Sequence, residues 1–131
     1  MPDGKMILVV EDDDTLRLLA TKQLAKLGFT GHAAADGSEA VEKTRSVPYS
    51  LILMDVQMPK MDGLEATTAI RKLEEVKHNK RVPIIAMTAN PDRERCLKAG
   101  MDDFIFKPVL LAQLKDLLER WVPDPLKAEK I

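Results

Sequence analysis

Apolar residues in this chain switch repeatedly between two periods, and that switching limits the folds open to it more than any other feature. Met6-Ile7-Leu8-Val9-Val10 is an unbroken β-prone run, the pattern of a strand covered on both faces. Asp13 or Asp14 then offers a cap for a helix reaching Leu27. On it Leu16, Leu19, Ala20, Leu24 and Leu27 recur at helical spacing, and Gly28 stops it. Residues 30–34 read as a weaker strand, and Asp36-Gly37-Ser38 opens a helix that ends before Pro48. Residues 51–54 form a third apolar run ending at Asp55. A loop with Pro59 and Asp62-Gly63 leads from it into a helix holding Leu64, Ala66, Thr67, Ile70 and Leu73. Residues 83–88 predict a fourth strand, with Asn90-Pro91 as cap and first turn of a short helix ending at Gly100. Phe104-Ile105-Phe106 is the fifth strand. Residues 110–121 form the last helix, with Leu111, Leu114, Leu118 and Trp121 in phase.

Strand-then-helix units repeated in this way predict an α/β fold, a doubly wound five-stranded parallel sheet with helices on both faces. A closed barrel would need eight units. The 131 residues fit one domain, expected over 1–123, with a charged tail over 124–131. Apolar residues at 45% can fill its core, which excludes a disordered chain. A net charge of −1 gives no polybasic field, so no nucleic-acid partner is expected. A single cysteine, Cys96, excludes an internal disulfide framework and a cysteine-based zinc site, and it suits a reducing, cytoplasmic location. Apolar runs of about five residues fall far short of a membrane span. With the last helix ending at Trp121, no DNA-binding or catalytic output domain is expected, so either output falls to a partner or the chain is a piece cut from a larger protein.

In such sheets ligands bind beyond the carboxyl ends of the strands. Glu11, Asp12, Asp13 and Asp14 follow the first strand, Asp55 the third, Thr88 ends the fourth, and Lys107-Pro108 follows the fifth. Asp13 and Asp14 read as an acidic first helical turn. Glu11, Asp12 and Asp55 at one edge repel unless a cation sits among them or one is protonated. Oxygen ligands at an open site suit Mg²⁺ better than zinc or copper.

Five stretches together resemble the receiver domains of two-component response regulators, with the CheY-like strand order 2-1-3-4-5. They are Val9-Val10-Glu11-Asp12-Asp13, Leu53-Met54-Asp55, the loop from Val56 to Gly63, Met87-Thr88-Ala89-Asn90 and Phe106-Lys107-Pro108. The loop wording and Ala99-Gly100-Met101-Asp102-Asp103-Phe104 are similar to receivers attached to hybrid histidine kinases. The resemblance implies that Asp55 takes a phosphoryl group from a phosphohistidine on a sensor kinase or a histidine phosphotransfer domain. It further implies that Asp12 is a direct Mg²⁺ ligand, Glu11 holds the metal through water, and the Gln57 carbonyl completes the set. Thr88 and Lys107 would grip the phosphoryl oxygens, with the Lys107–Pro108 bond cis. Phe104 falls at the aromatic switch position that moves with Thr88, although a core anchor in the fifth strand is an equally physical role for it.

Leu18 lies off the expected core stripe, beside Leu16 and near the acids, where it could dock a partner helix. The methionines around the site read as packing filler, His32 and His78 as isolated, Cys96 as a small buried hydrophobe. Lys72, Lys77, Lys80 and Arg81 read as a solvated helix end. A monomer or weak dimer is expected. A dehalogenase-type phosphatase would need an acid where Gln57 stands, and a flavodoxin-like carrier would need a phosphate-cradling loop after the first strand. A receiver-fold module that binds protein without phosphorylation is the remaining alternative. The Asn90-Pro91 junction looks about three residues shorter than the family pattern, so the fourth helix is expected to move little on activation.

Overall fold

Val10 and Met54 are the last apolar residues of two neighbouring strands and lie side by side at the carboxyl edge of the sheet. The computed structural model describes residues 6–58, 61–89 and 92–122. Its strands are β1 (Met6–Val10), β2 (Thr30–Ala34), β3 (Leu51–Asp55), β4 (Ile84–Thr88) and β5 (Asp103–Phe106). The helices are α1 (Asp14–Lys26), α2 (Gly37–Ser46), α3 (Gly63–Lys77), α4 (Arg93–Ala99) and α5 (Leu111–Trp121). All strand pairs are parallel, in the order β2-β1-β3-β4-β5. The expected fold class and order are therefore observed.

The unbroken apolar runs divide cleanly between the two faces because successive side chains on a strand point oppositely. Ile7, Val9, Leu51, Leu53, Ile85 and Met87 pack with Ala20 and Leu24 of α1 and Leu114, Leu117 and Leu118 of α5. Leu8, Val10, Ile52, Met54, Ile84 and Ala86 face α2, α3 and α4 through Ala40, Ala66, Ile70 and Cys96. Each fully buried aliphatic side chain contributes on the order of 2 kcal/mol, enough to hold the strand ends rigidly.

Aspartates start four of the five helices. Asp13, Asp36, Asp62 and Asp92 each accept a hydrogen bond from the backbone N–H three residues on, and Asp62 closes a capping box with Glu65. The fourth helix is therefore capped by Asp92, not Asn90, and begins at Arg93; Asn90 and Pro91 lie outside the described residues, as do Pro59 and the 124–131 tail. An aspartate followed by a good helix former outcompetes the Asn-Pro pair for the cap.

Two further expectations change. Leu16 and Leu19 do not join the core stripe of α1 but are 40% and 48% exposed, so Ala20 and Leu24 carry its burial. On α5, Leu117 is buried where Leu111 was expected. Arg81 is not merely solvated: with Arg71 it grips Asp102, whose carboxylate also accepts from the Ile84 N–H at 2.9 Å. Arg71 reaches Glu74, the Val82 carbonyl and the Gly100 carbonyl as well, tying α3 to the segments flanking β4 and α4.

This cluster gives a ranked prediction. Asp102→Ala takes one of two carboxylate partners from the largely buried Arg71 and leaves the Ile84 N–H without its acceptor, and should cost about 2–3 kcal/mol. Arg81→Ala, removing a partner that is 57% exposed, should cost about 1 kcal/mol or less. Urea denaturation of the two variants checks the order.

Candidate functional site

β1 and β3 are adjacent, and β2 lies on the far side of β1, so the chain reverses its direction across the sheet between them. That reversal opens a crevice at their carboxyl ends. Glu11 and Asp55 emerge there, both almost fully buried, and Asp12 follows in an exposed position. Carboxylate oxygens of the three lie within 4.8 Å of one another. Gly63 makes the crowding possible from the α3 side, since a Cβ at that position would overlap the Asp55 carbonyl.

Lys107 enters from the end of β5. Its Nζ lies 2.9 Å from Glu11 Oε1 and 3.2 Å from Asp55 Oδ1, so one ammonium bridges two buried carboxylates. The Lys107–Pro108 peptide is cis. The Lys107 N–H donates to the Thr88 carbonyl at 3.0 Å, which joins the ends of β4 and β5 and places Thr88, itself buried, on the same edge. The Gln57 N–H donates to Asp55 Oδ1 at 3.2 Å, folding the loop after β3 back over the acid.

Burial pushes the Asp55 carboxyl up to about 7, reinforced by the hydrogen bond and charge of Glu11 and opposed by Lys107. Burial works against the Lys107 charge, yet its hydrogen bond to Glu11 and the charges of Asp55 and Glu11 outweigh that and hold it above its ordinary value. Among the described residues one ammonium meets three carboxylates, which leaves a surplus of negative charge. All the ligand atoms are oxygens, and Asp12 opens to solvent. That donor set fits a hard divalent cation such as Mg²⁺.

The structure thus brings together Glu11, Asp12, Asp55, Gln57, Thr88 and Lys107. It separates Asp13 and Asp14 from them as helix-start residues: Asp13 caps α1, and Asp14 pairs with Arg17. Phe104 lies farther along β5, half-buried against the α3–α4 face. The Arg93 guanidinium sits over its ring at 5.1 Å, and Phe106 packs edge-on. Leu18 is 56% exposed. Leu16 lines a cavity of about 290 Å³ between α1 and the loop after β5, with Leu19, Pro108 and Val109, ending at Glu11 and Lys107. Arg17 was not foreseen: its guanidinium donates to the Glu11 carbonyl at 2.9 Å. The sequence signal available was its i,i+3 spacing from Asp14, which explains the ion pair but not the reach to the turn.

The sequence pattern of the response regulator receiver domain matches residues 7–119. The chain belongs to that family. The receiver domain is 44% identical over 118 residues to the hybrid signal transduction protein dokA of Dictyostelium discoideum, covering 90% of this chain but only 7% of dokA. It spans a similarly small part of the other curated relatives, among them the sensor protein EvgS of Escherichia coli at 41% identity. Among solved structures, it superimposes on the receiver domain of the Pseudomonas aeruginosa sensor histidine kinase PA1611 with a TM-score of 0.82 and 42% identity. That match covers 92% of this chain and 99% of the other, and the PA1611 domain has magnesium coordinated in its active site cleft. The Saccharomyces cerevisiae Ssk1 receiver, solved with the histidine phosphotransfer protein Ypd1, matches at 0.85 and 30% identity, covering 89% and 88% of the two chains. Among the described residues no helix is long and apolar enough to cross a membrane.

The raised Asp55 value makes the metal-free receiver pH-sensitive. An unfolded aspartate titrates near 3.9, so between that value and about 7 the folded state holds the extra proton. The contribution of this group is fully present below about pH 4 and is lost as pH rises through about 7. With a chelator present, Asp55→Asn should therefore be more stable than the parent at pH 8, by about 1–3 kcal/mol, and the gain should shrink at pH 5. Urea midpoints at the two pH values measure it.

Proposed function

We propose that this receiver, spanning 1–123, takes a phosphoryl group onto Asp55 from a phosphohistidine, and that Glu11, Asp12, Asp55 and the Gln57 carbonyl hold the Mg²⁺ the transfer needs. The observation that carries the reading is the unbalanced charge: three converging carboxylates face one lysine. The bound cation would neutralise that surplus and offset charge on the incoming phosphoryl group. Asp55 supplies the nucleophilic oxygen. As its bond to phosphorus forms, the phosphorus–nitrogen bond of the donor breaks, and its electron pair stays on the imidazole. Lys107, already beside Asp55, follows the negative charge to the phosphoryl oxygens, and the Thr88 hydroxyl donates to another of them. The product is an acyl phosphate, whose lability limits the life of the signal.

The donor class follows from the company the chain keeps. Its curated relatives include hybrid kinases, and the Ssk1 receiver was solved with a histidine phosphotransfer protein. In this reading the receiver works in the cytoplasm, beside such a donor, as a monomer or weak dimer. Leu18 and Leu16, with Leu19 beside the cavity, offer the apolar face on which a donor helix would rest. Thr88 and Phe104 form the switch pair. The Gly100 carbonyl that ends α4 accepts from both Arg71 and Arg81, and this supports a small response in that helix.

Incubated with acetyl phosphate, the receiver should gain one phosphoryl group by intact mass only when Mg²⁺ is present, and Asp55→Asn should gain none. A phosphorylated Asp55→Asn would overturn the assignment. Asp12→Ala should weaken Mg²⁺ binding by about tenfold or more, while Asp14→Ala, which alters only the Arg17 pair, should change it little; calorimetric titration separates them. On adding beryllofluoride and Mg²⁺, amide shifts should concentrate near Asp55, Thr88 and Phe104, with α4 changing less.

A further inference from the structure

Helix α1 reaches across the site in two places. Arg17 donates to the carbonyl of Glu11 at 2.9 Å while its other terminal nitrogen pairs with Asp14. Further along the same helix, Gln23 Nε2 donates to the carbonyl of Val109 at 3.0 Å. The first bond ends on the peptide unit that joins Glu11 to Asp12, and the second ends just beyond Lys107-Pro108. Between helix and loop lies the cavity of about 290 Å³. Apolar packing along this seam is therefore incomplete, and polar bonds hold its two ends.

Each bond fixes something that the rest of the structure leaves open. The Glu11 N–H is already held by the Ala34 carbonyl, and one Glu11 carboxylate oxygen accepts from the Asp13 N–H. Holding the Glu11 carbonyl fixes the plane of the following peptide, because that unit is rigid. It thereby sets the direction in which the Asp12 side chain leaves the backbone. At the other end, α5 is the one described helix whose N-cap residue, Leu110, makes no side-chain cap. Gln23 satisfies no N–H of α5, but its bond to the Val109 carbonyl ties the segment that leads into that helix to α1.

We propose that Arg17 and Gln23 are positioning residues for the phosphoacceptor site, Arg17 setting the acidic turn and Gln23 setting the loop that carries Lys107. This rests on the reading of Asp55 as the phosphoacceptor and of the turn as the Mg²⁺ site. The two roles separate experimentally, because one bond serves the metal ligands and the other serves the lysine.

The test uses Arg17→Ala, Arg17→Lys, Gln23→Ala and Gln23→Lys, with Mg²⁺ affinity by calorimetry and phosphorylation by acetyl phosphate at saturating Mg²⁺. Arg17→Ala should weaken Mg²⁺ by about tenfold. Gln23→Ala should leave Mg²⁺ affinity within about twofold and slow phosphorylation by about tenfold. Both lysine variants keep a donor and should recover most of the loss. Parent-like alanine variants, or equal losses of both quantities with no rescue by lysine, would overturn the proposal. Amide hydrogen exchange gives a readout independent of the chemistry. It should quicken over 12–14 in Arg17→Ala and over 109–111 in Gln23→Ala, and unchanged or uniformly faster exchange counts against the brace. Should the parent itself neither bind Mg²⁺ nor become phosphorylated, the reading of the site fails, while the exchange pattern still decides the positioning roles.

Discussion

Lys107 stands between two carboxylates that would otherwise repel each other inside the protein, and the rest of the site is arranged around that contact. Its Nζ touches Glu11 and Asp55 at 2.9 and 3.2 Å, yet among the described residues no second ammonium meets Asp12, which lies close by. Deleting the lysine would leave two buried acids unpaired, a loss that ordinarily costs several kcal/mol or forces protonation. Adding a second lysine would satisfy the charge but exclude the cation and the phosphoryl group. A deliberately incomplete balance is what makes the crevice a binding site rather than a salt bridge.

Such an arrangement survives only on a rigid frame. Glu11 follows β1 and Asp55 ends β3, strands whose side chains are buried on both faces, and neighbouring backbones fix their register through Val10 and Met54. The acids cannot drift apart to relieve their repulsion without pulling β1 from β3. Gly63 removes the one side chain that would keep α3 away from Asp55. The electrostatic cost is thus imposed on the site by hydrophobic packing several residues away, and it is recovered when cation or phosphate arrives.

Much of this was legible in the sequence because the informative features are local. Continuous runs such as Ile7-Leu8-Val9-Val10 identify doubly buried strands, and the polar residues at their ends follow by position alone. What was not legible depends on partners distant in the chain. Arg71 and Asp102 are 31 residues apart, and Gln23 and Val109 are 86 apart, so neither pair leaves a periodic trace. Leu16 and Leu19 misled for a different reason: they satisfy the helical period, but the loop after β5 stands off from α1 and leaves a cavity where core was expected. The choice of Asp92 over Asn90 as cap turned on competition between two good candidates two residues apart, which composition does not resolve.

The same cavity connects recognition to chemistry. Leucines on α1 face it from one side and Pro108 and Val109 from the other, while Glu11 and Lys107 close its inner end. A helix that docks there gains affinity by covering apolar surface, and in doing so it comes within reach of the residues that receive the phosphoryl group. Were the seam filled by larger side chains, α1 would be held by packing alone and a partner would find no apolar groove beside the acids. The two side-chain-to-carbonyl bonds from Arg17 and Gln23 tie α1 to the acidic turn at one end of the groove and to the loop after β5 at the other. In the proposed reading, specificity for a donor and geometry for transfer are two consequences of how one helix is attached.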